Sequence, residues 1–288
     1  MRLGGPIFKP WTTPNEWAAA VLAAGYRAAY CPLGADADAD ACRAFEQAAA
    51  AAGIVIAEVG AWSNPLAADD GERAAALAKC QAGLALADAV GARCCVNIAG
   101  GRGPQWDGPH PDNLSSDTFE RIVESVRDII DTVQPLRAYY TLETMPWIPP
   151  HSAESYEQLL RAIDRPRFAV HFDPVNLINS PERIFANGAV IRDFVARLGP
   201  HIQSCHAKDI TLSGRLTVHL DECRPGTGAL DYDAYLGAVA TLRGDLPVML
   251  EHLPSAEEYA LAADHLRAVA ARIGVRLDGF AEIPRQGP

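Results

Sequence analysis

A chain of 288 residues that is 49% hydrophobic and 21% charged, with no polar low-complexity tract, has the composition of a folded protein with a large core rather than of a disordered one. Its 36 acidic against 25 basic side chains give a formal charge of −11, which argues against a broad nucleic-acid surface, because that needs a basic footprint. No window reaches the ~18 apolar residues of a membrane span, and the N-terminal "MRLGGPIFKPWTTP" lacks the apolar stretch of an export signal, so a cytoplasmic protein is expected.

The first strand-like run is "LGGPIF" (3–8), followed by a helical stretch over 17–24 that opens on "TPNEW". A second strand, "AAYCPL" (28–33), leads through "DADA" into a helix over 41–52, and a third, "IVIAEVGAW" (54–62), leads through "DDGE" into 73–90. "ARCCVNIAG" (92–100) precedes "SSDTFE" and a helix over 120–132, and "AYYTLETM" (138–145) precedes "SAESYE" and 155–163. The last three strands, "FAVHFDPVN" (168–176), "IQSCHAKDI" (202–210) and "LPVMLEHL" (246–253), are followed by helices opening at "SPER", "DYDA" and "SAEE". Ser, Thr and Asp at these openings offer a side-chain oxygen to the free N–H groups of a first helical turn. Gly25, Gly53, Gly91, Gly199 and Gly274 stand where helices end in a left-handed residue.

Strict alternation of strand and helix predicts parallel strands with right-handed crossovers, and eight units predict a closed (β/α)₈ TIM barrel, read as one domain over 1–288. An open doubly wound sheet would want a GxGxxG turn after its first strand, which "GGPIFKPWTTP" does not supply. Two long connections, 100–117 and 211–232, follow the fourth and seventh strands and should overhang the C-terminal mouth, where barrel active sites lie. The seven cysteines, at 31, 42, 80, 94, 95, 205 and 223, are odd in number and show no CxxC spacing, so buried free thiols are expected.

Four strand ends each carry one group able to bind a metal: Glu143 in "YTLETMP", Asp173 in "FAVHFDPVN", His206 in "SCHAKDI" and Glu251 in "VMLEHL". They fall on consecutive strands, about 4.8 Å apart laterally, so their side chains can converge on one ion. Any one acid at a strand end is more ordinarily a cap or a loop acceptor; the set of four is what points to a metal. Three carboxylates and an imidazole suit Mn²⁺, Mg²⁺ or Co²⁺, and Zn²⁺ less well. Strand alternation puts His171 behind Asp173 on the same face, puts Lys208 at the mouth beyond His206, and turns His252 outward. His110, His201 and His265 read as ordinary histidines. Trp11, Trp62, Trp106 and Trp147 stand at predicted mouths, where they would offer stacking faces to a sugar, with Lys9, Asn64 and Asn97 as hydroxyl partners of lower rank.

In this order the motifs resemble the xylose isomerase-like TIM barrels, also called the sugar phosphate isomerase/epimerase family, over nearly the whole chain. The most specific pieces are "HAKDI", "PGTGALDY" (225–232) and "LEHLPSAEEY" (250–259). Ketose 3-epimerases, inosose dehydratases and hydroxypyruvate isomerases of this kind bind a divalent metal through Glu, Asp, His and Glu. The resemblance therefore implies the same four residues, Glu143, Asp173, His206 and Glu251. It also implies that Arg224 holds substrate, with Glu222 as its companion. Asn176 stands where many epimerases have a histidine.

The implied chemistry is proton transfer beside a carbonyl, with Glu143 and Glu251 as the acid and base and one divalent ion, Mn²⁺ first, stabilising an enediolate. Epimerisation or isomerisation of a ketose is the first reading, and β-elimination by a dehydratase or lyase the second. A sugar-binding barrel without turnover, or a DNA-repair endonuclease on the same barrel with a histidine-rich zinc cluster, fits less well. "RPGTG" reads as a turn rather than a phosphate cradle, so an unphosphorylated small sugar or sugar-like substrate is expected, with no nucleic-acid or membrane partner and a homo-oligomer as the common assembly of such enzymes.

Overall fold

Side-chain caps set the helices of the computed structural model, which describes residues 1–278; residues 279–288 of the expected domain lie outside the described residues. Helices α1 (Pro14–Ala23), α2 (Ala39–Ala52), α3 (Asp70–Val90), α4 (Ser116–Val133) and α5 (Ala153–Ile163) begin on Thr13, Asp38, Asp69, Ser115 and Ser152, each accepting a hydrogen bond from a first-turn N–H. Ser180, Asp231 and Ser255 do the same for α6 (Pro181–Phe185), α8 (Tyr232–Val239) and α9 (Ala256–Ile273). Among these helices only α7 (Asn187–Leu198) starts uncapped, because it continues α6 across Ala186. The sixth helical unit is thus two helices where the sequence predicts one.

Eight parallel strands close the barrel: β1 (Arg2–Gly4), β2 (Ala28–Tyr30), β3 (Val55–Gly60), β4 (Cys94–Asn97), β5 (Tyr139–Glu143), β6 (Phe168–Phe172), β7 (Ile202–Ala207) and β10 (Pro247–Leu250). Each pairs with its neighbour in sequence, and β1 pairs with β10 to complete the ring. This is the expected (β/α)₈ barrel.

Three further details depart from expectation. The run 202–210 breaks after Ala207, and β8 (Asp209–Leu212) leaves the barrel to pair antiparallel with β9 (Leu220–Cys223), forming a hairpin over the mouth. Gly199 ends α7 in a right-handed conformation and opens a 3₁₀ turn over Gly199–His201, whereas Gly25, Gly53, Gly91 and Gly274 have the expected positive φ. His252 has a φ of 58°, so strand alternation fails there and its ring joins the mouth instead of turning outward.

The seven cysteines are free thiols, five of them buried, and no helix among the described residues is long and apolar enough to cross a membrane. Closure is tightest at Gly4, which pairs with Met249 on one side and Ala28 on the other. A Cβ there would lie 2.6 Å from the Ala28 carbonyl oxygen and 2.5 Å from the Met249 sulfur. Gly4→Ala is expected to cost about 2 kcal/mol of stability, the scale of overpacking in a rigid core. Urea unfolding would show a lowered midpoint at unchanged slope, and an unchanged midpoint would mean that the barrel yields at this seam.

Candidate metal centre and active site

Asp173 answers why a strand in a hydrocarbon core ends in a carboxylate. Its Oδ1 accepts from the backbone N–H groups of Val175 and Asn176, at 2.9 and 3.3 Å, and so folds the chain into the 3₁₀ turn Val175–Leu177. Thr144 fixes its backbone on the other side, donating to the Asp173 carbonyl at 2.8 Å and accepting from its N–H at 3.1 Å. One oxygen is thereby used structurally, and Oδ2 is left facing the barrel axis side chains.

Glu143, at the end of β5, and Glu251, just beyond β10, approach from either side of His206 on β7. His206 Nδ1 lies 3.1 Å from Glu143 Oε1, 2.8 Å from Glu251 Oε1 and 3.8 Å from Asp173 Oδ2. All four ligand atoms fall within 4.8 Å of one another, so the set could hold a metal ion. Two of those oxygens, Asp173 Oδ2 and Glu251 Oε1, are buried and receive no hydrogen bond of acceptable direction, although Lys208 Nζ lies 2.8 and 2.6 Å away. Buried carboxylate lone pairs of this kind want a partner, and three oxygens plus one nitrogen are the donor set of a divalent cation. The residues therefore fit the group.

The sequence reading missed Glu58, a lone acid inside "IAEVGAW" on β3. Its carboxylate is buried and takes three hydrogen bonds: from His171 Nε2 at 2.9 Å, His206 Nε2 at 3.0 Å and Ser204 Oγ at 2.8 Å. The two imidazoles stand edge to face, 4.2 Å between centroids. The Glu58 carboxylate favours a proton on His206 Nε2 while Nδ1 faces the three carboxylates, the arrangement by which a supporting carboxylate would orient a histidine toward a metal. His171, buried beside His206, meets Glu58 and none of the three carboxylates around Nδ1. The only signal in the sequence was an acid at a position of β3 that should face the barrel interior.

Burial opposes the charge on every one of these groups, and their neighbours decide the outcome. For Glu58, burial raises the pKa, but His171 and His206 outweigh it and hold the carboxyl well below its ordinary 4.5. Glu143 is raised, burial and the Glu251 charge exceeding the help of His206 and Lys208. Glu251 goes the other way, because His206 and Lys208 overcome burial and bring it to about 2. Asp173 is lowered chiefly by Lys208 against burial, and His206 and Lys208 are both raised by the surrounding carboxylates against burial.

A cavity of about 750 Å³ opens above this centre, lined among others by Glu58, Glu143, Asn176, Lys208, Glu222 and Glu251. Trp62, Trp106 and Trp147 also border it. Lys208 is only 3% exposed, deeper than a mouth position implies. Asn176 donates to Glu143 Oε1 at 3.1 Å, and Glu222 reaches His252 Nδ1 at 3.2 Å from the hairpin.

Other candidates are employed elsewhere. Arg224 pairs with Glu258 of α9 at 2.8 Å, and Trp11 packs edge-on against Phe45; neither lines the cavity, nor does Lys9. Asn97 fastens the Ser63 backbone, and Asn64 ties the loop after β3 to Gly101. The "RPGTG" segment wraps the Asp209 carboxylate, which accepts from the N–H groups of Gly226, Gly228 and Leu230 at 2.9, 3.0 and 2.9 Å, so it is a turn, as expected.

Glu58→Gln leaves one imidazole N–H facing an amide NH₂, and is expected to destabilise the fold by about 3 kcal/mol at neutral pH, the lower end for breaking a buried charged network. Because the folded-state pKa of Glu58 is depressed, its stabilisation is present above pH 4.5 and fades as the pH falls below that value. Unfolding free energies of the two proteins should therefore converge in acid; a constant difference down to about pH 3 would show that Glu58 is not ionised in the folded chain.

Comparison with known proteins agrees with this fold. The family model described as "Xylose isomerase-like TIM barrel" matches residues 18–269. No curated protein sequence matches the chain. Among solved structures, endonuclease IV from Thermus thermophilus superposes with a TM-score of 0.69 at 16% identity, over 94% of this chain and 100% of that one. The probable 3-DHS dehydratase AsbF of Bacillus anthracis gives 0.66 at 16%, over 94% and 99%. D-psicose 3-epimerase from Clostridium cellulolyticum H10, solved with D-tagatose, gives 0.64 at 16%, over 93% and 99%. At such identities these likenesses speak for the fold, and with the family match over most of its length the chain belongs to the xylose isomerase-like TIM barrels.

Proposed function

We propose that this chain is a divalent-metal-dependent isomerase or epimerase of a ketose or related polyol ketone, with Glu143, Asp173, His206 and Glu251 as the metal ligands. The observation that carries the reading is the convergence of those four groups, two of which, Glu143 and Glu251, line the cavity, with two carboxylate oxygens left without a directed partner. Mn²⁺ is the first choice of metal for so oxygen-rich a set. A divalent ion there supplies Lewis-acid stabilisation of the negative charge that develops on a substrate oxygen when a carbon-bound proton leaves. Glu143 and Glu251 reach the centre from strands on opposite sides of β6 and β7, so each can hold or take a proton on one face of a bound sugar. Asn176, Lys208 and Glu222 meet substrate hydroxyls and Trp62 supplies an apolar face, while His171 acts only through Glu58.

The cavity lining has one lysine and no arginine among the described residues, which supports an unphosphorylated substrate. The net charge of −11 and this acidic mouth support a sugar over a nucleic acid, despite the likeness to endonuclease IV. Free thiols throughout support a cytoplasmic setting. Loss of a β-hydroxyl or glycosidic oxygen from the same deprotonated substrate would make the chain a dehydratase or lyase, and the product separates the two.

Incubation in D₂O with Mn²⁺ and a panel of ketoses, inososes and 3-keto glycosides should place deuterium on a carbon next to the carbonyl of one of them, read by NMR. Glu143→Gln should lower that exchange by about 10²–10⁴-fold while ligand binding persists. Exchange undiminished in Glu143→Gln would remove Glu143 from the chemistry, and binding without exchange in the unaltered protein would make this a sugar-binding barrel.

A further inference from the structure

A second cavity, of about 840 Å³, adjoins the first, and the two share Trp62 and Trp106 as common walls. It lies between the segment after β3, including the start of α3, and the long loop after β4, and its rim carries Asn64, Glu72, Lys79 and Arg102. Nothing in the proton-transfer chemistry uses it.

The walls of this groove are held in place. Trp62 is 38% exposed, yet its carbonyl accepts from Lys79 Nζ at 2.9 Å, and the next residue, Ser63, exchanges two hydrogen bonds with Asn97. The indole lies against Gly60, where a Cβ would come within 2.5 Å of its Nε1. Asn64 crosses to the opposite loop, donating to the Gly101 carbonyl and accepting from the Gly101 N–H, both at 3.0 Å. Gly100, with a φ of 101°, lets that loop pass close beside the Asn64 amide. A rigid aromatic face flanked by fixed polar groups binds a ring without first having to be ordered.

Charge narrows the occupant. Arg102 is occupied by Asp117 at 2.6 Å and Lys79 by the Trp62 carbonyl, while Glu72 adds an acid, so the groove offers no free cation cluster to a phosphate or carboxylate. A neutral ring with an apolar face and hydroxyl edges matches it.

From the adjacency of the two cavities, which share Trp62 and Trp106 as walls, we infer that the substrate is a glycoside. Its reacting sugar lies over the metal ligands and a second ring, glycosidically attached, lies in the groove beyond Trp62. This assignment rests on the cavity above the ligands being the reaction site, but it is tested by binding alone.

The test compares D-glucose, cellobiose and phenyl β-D-glucopyranoside by calorimetry on the full chain. At least one two-ring ligand should bind about tenfold more tightly than D-glucose. Ala75→Trp, a change at an exposed α3 position that lines only the groove, should erase that advantage while glucose affinity stays within about twofold, and Ala68→Trp should repeat the effect. A gain with cellobiose alone identifies a sugar as the second ring, and a gain with the phenyl glycoside alone an aromatic aglycone. Equal affinity for all three ligands, or an advantage that survives both tryptophan substitutions, overturns the inference. Failure here with deuterium exchange into free ketoses would leave the proposed reaction standing, whereas a ring-dependent advantage without any exchange would keep the groove and remove the reaction.

Discussion

A buried carboxylate shared between two imidazoles is the constraint from which the rest of the centre follows. Glu58 on β3 reaches across the barrel to His171 on β6 and His206 on β7. Taking an ion out of water costs several kcal/mol even after relaxation, so a buried acid persists only where its lone pairs are met. Here they are met by two ring N–H groups and the Ser204 hydroxyl. With Nε2 of His206 committed downward, its Nδ1 has one direction to face, and Glu143, Asp173 and Glu251 are what it faces.

The barrel contributes rigidity beside Glu143, Asp173 and His206 through hydroxyls that bridge to strand backbones. The Tyr156 hydroxyl shares its one proton between the carbonyls of Leu142 and Ala169, 2.6 and 2.9 Å away, tying β5 to β6 just before Glu143 and Asp173. Tyr235 donates to the His206 carbonyl and Tyr232 to that of Lys208, both at 2.7 Å. Asp209 then gathers the turn that follows the hairpin. Glu143, Asp173 and His206 are thus carried by backbone held by neighbouring hydroxyls, which is what a site needs if its geometry is to persist when a substrate arrives.

Much of this was legible in the sequence, for physical reasons that can be named. The eight units showed because strand runs and capped helices alternate without interruption. Glu143, Asp173, His206 and Glu251 showed because hydrophilic groups at the ends of successive apolar runs recur at the spacing of the repeat. Glu58 did not show, since one acid in one strand has no partner nearby in sequence: His171 and His206 lie more than a hundred positions away. The hairpin was hidden because "HAKDI" continues the apolar pattern of β7 past the point where the chain leaves the barrel. Arg224 was drawn to the substrate by resemblance, but Glu258 on α9 is close and holds it. Gly199 stands at a helix end, yet Pro200 follows it and a 3₁₀ turn takes the place of a left-handed cap.

The central claim is that four residues on four successive strands hold one divalent ion. Titration of the metal-free chain with Mn²⁺, followed by electron paramagnetic resonance of the free ion, tests it most directly. The account predicts one Mn²⁺ per chain, with affinity sharply reduced in Asp173→Asn, which changes the one carboxylate whose other oxygen is already committed to the backbone. Absence of stoichiometric binding, or binding that is indifferent to Asp173→Asn, would contradict it.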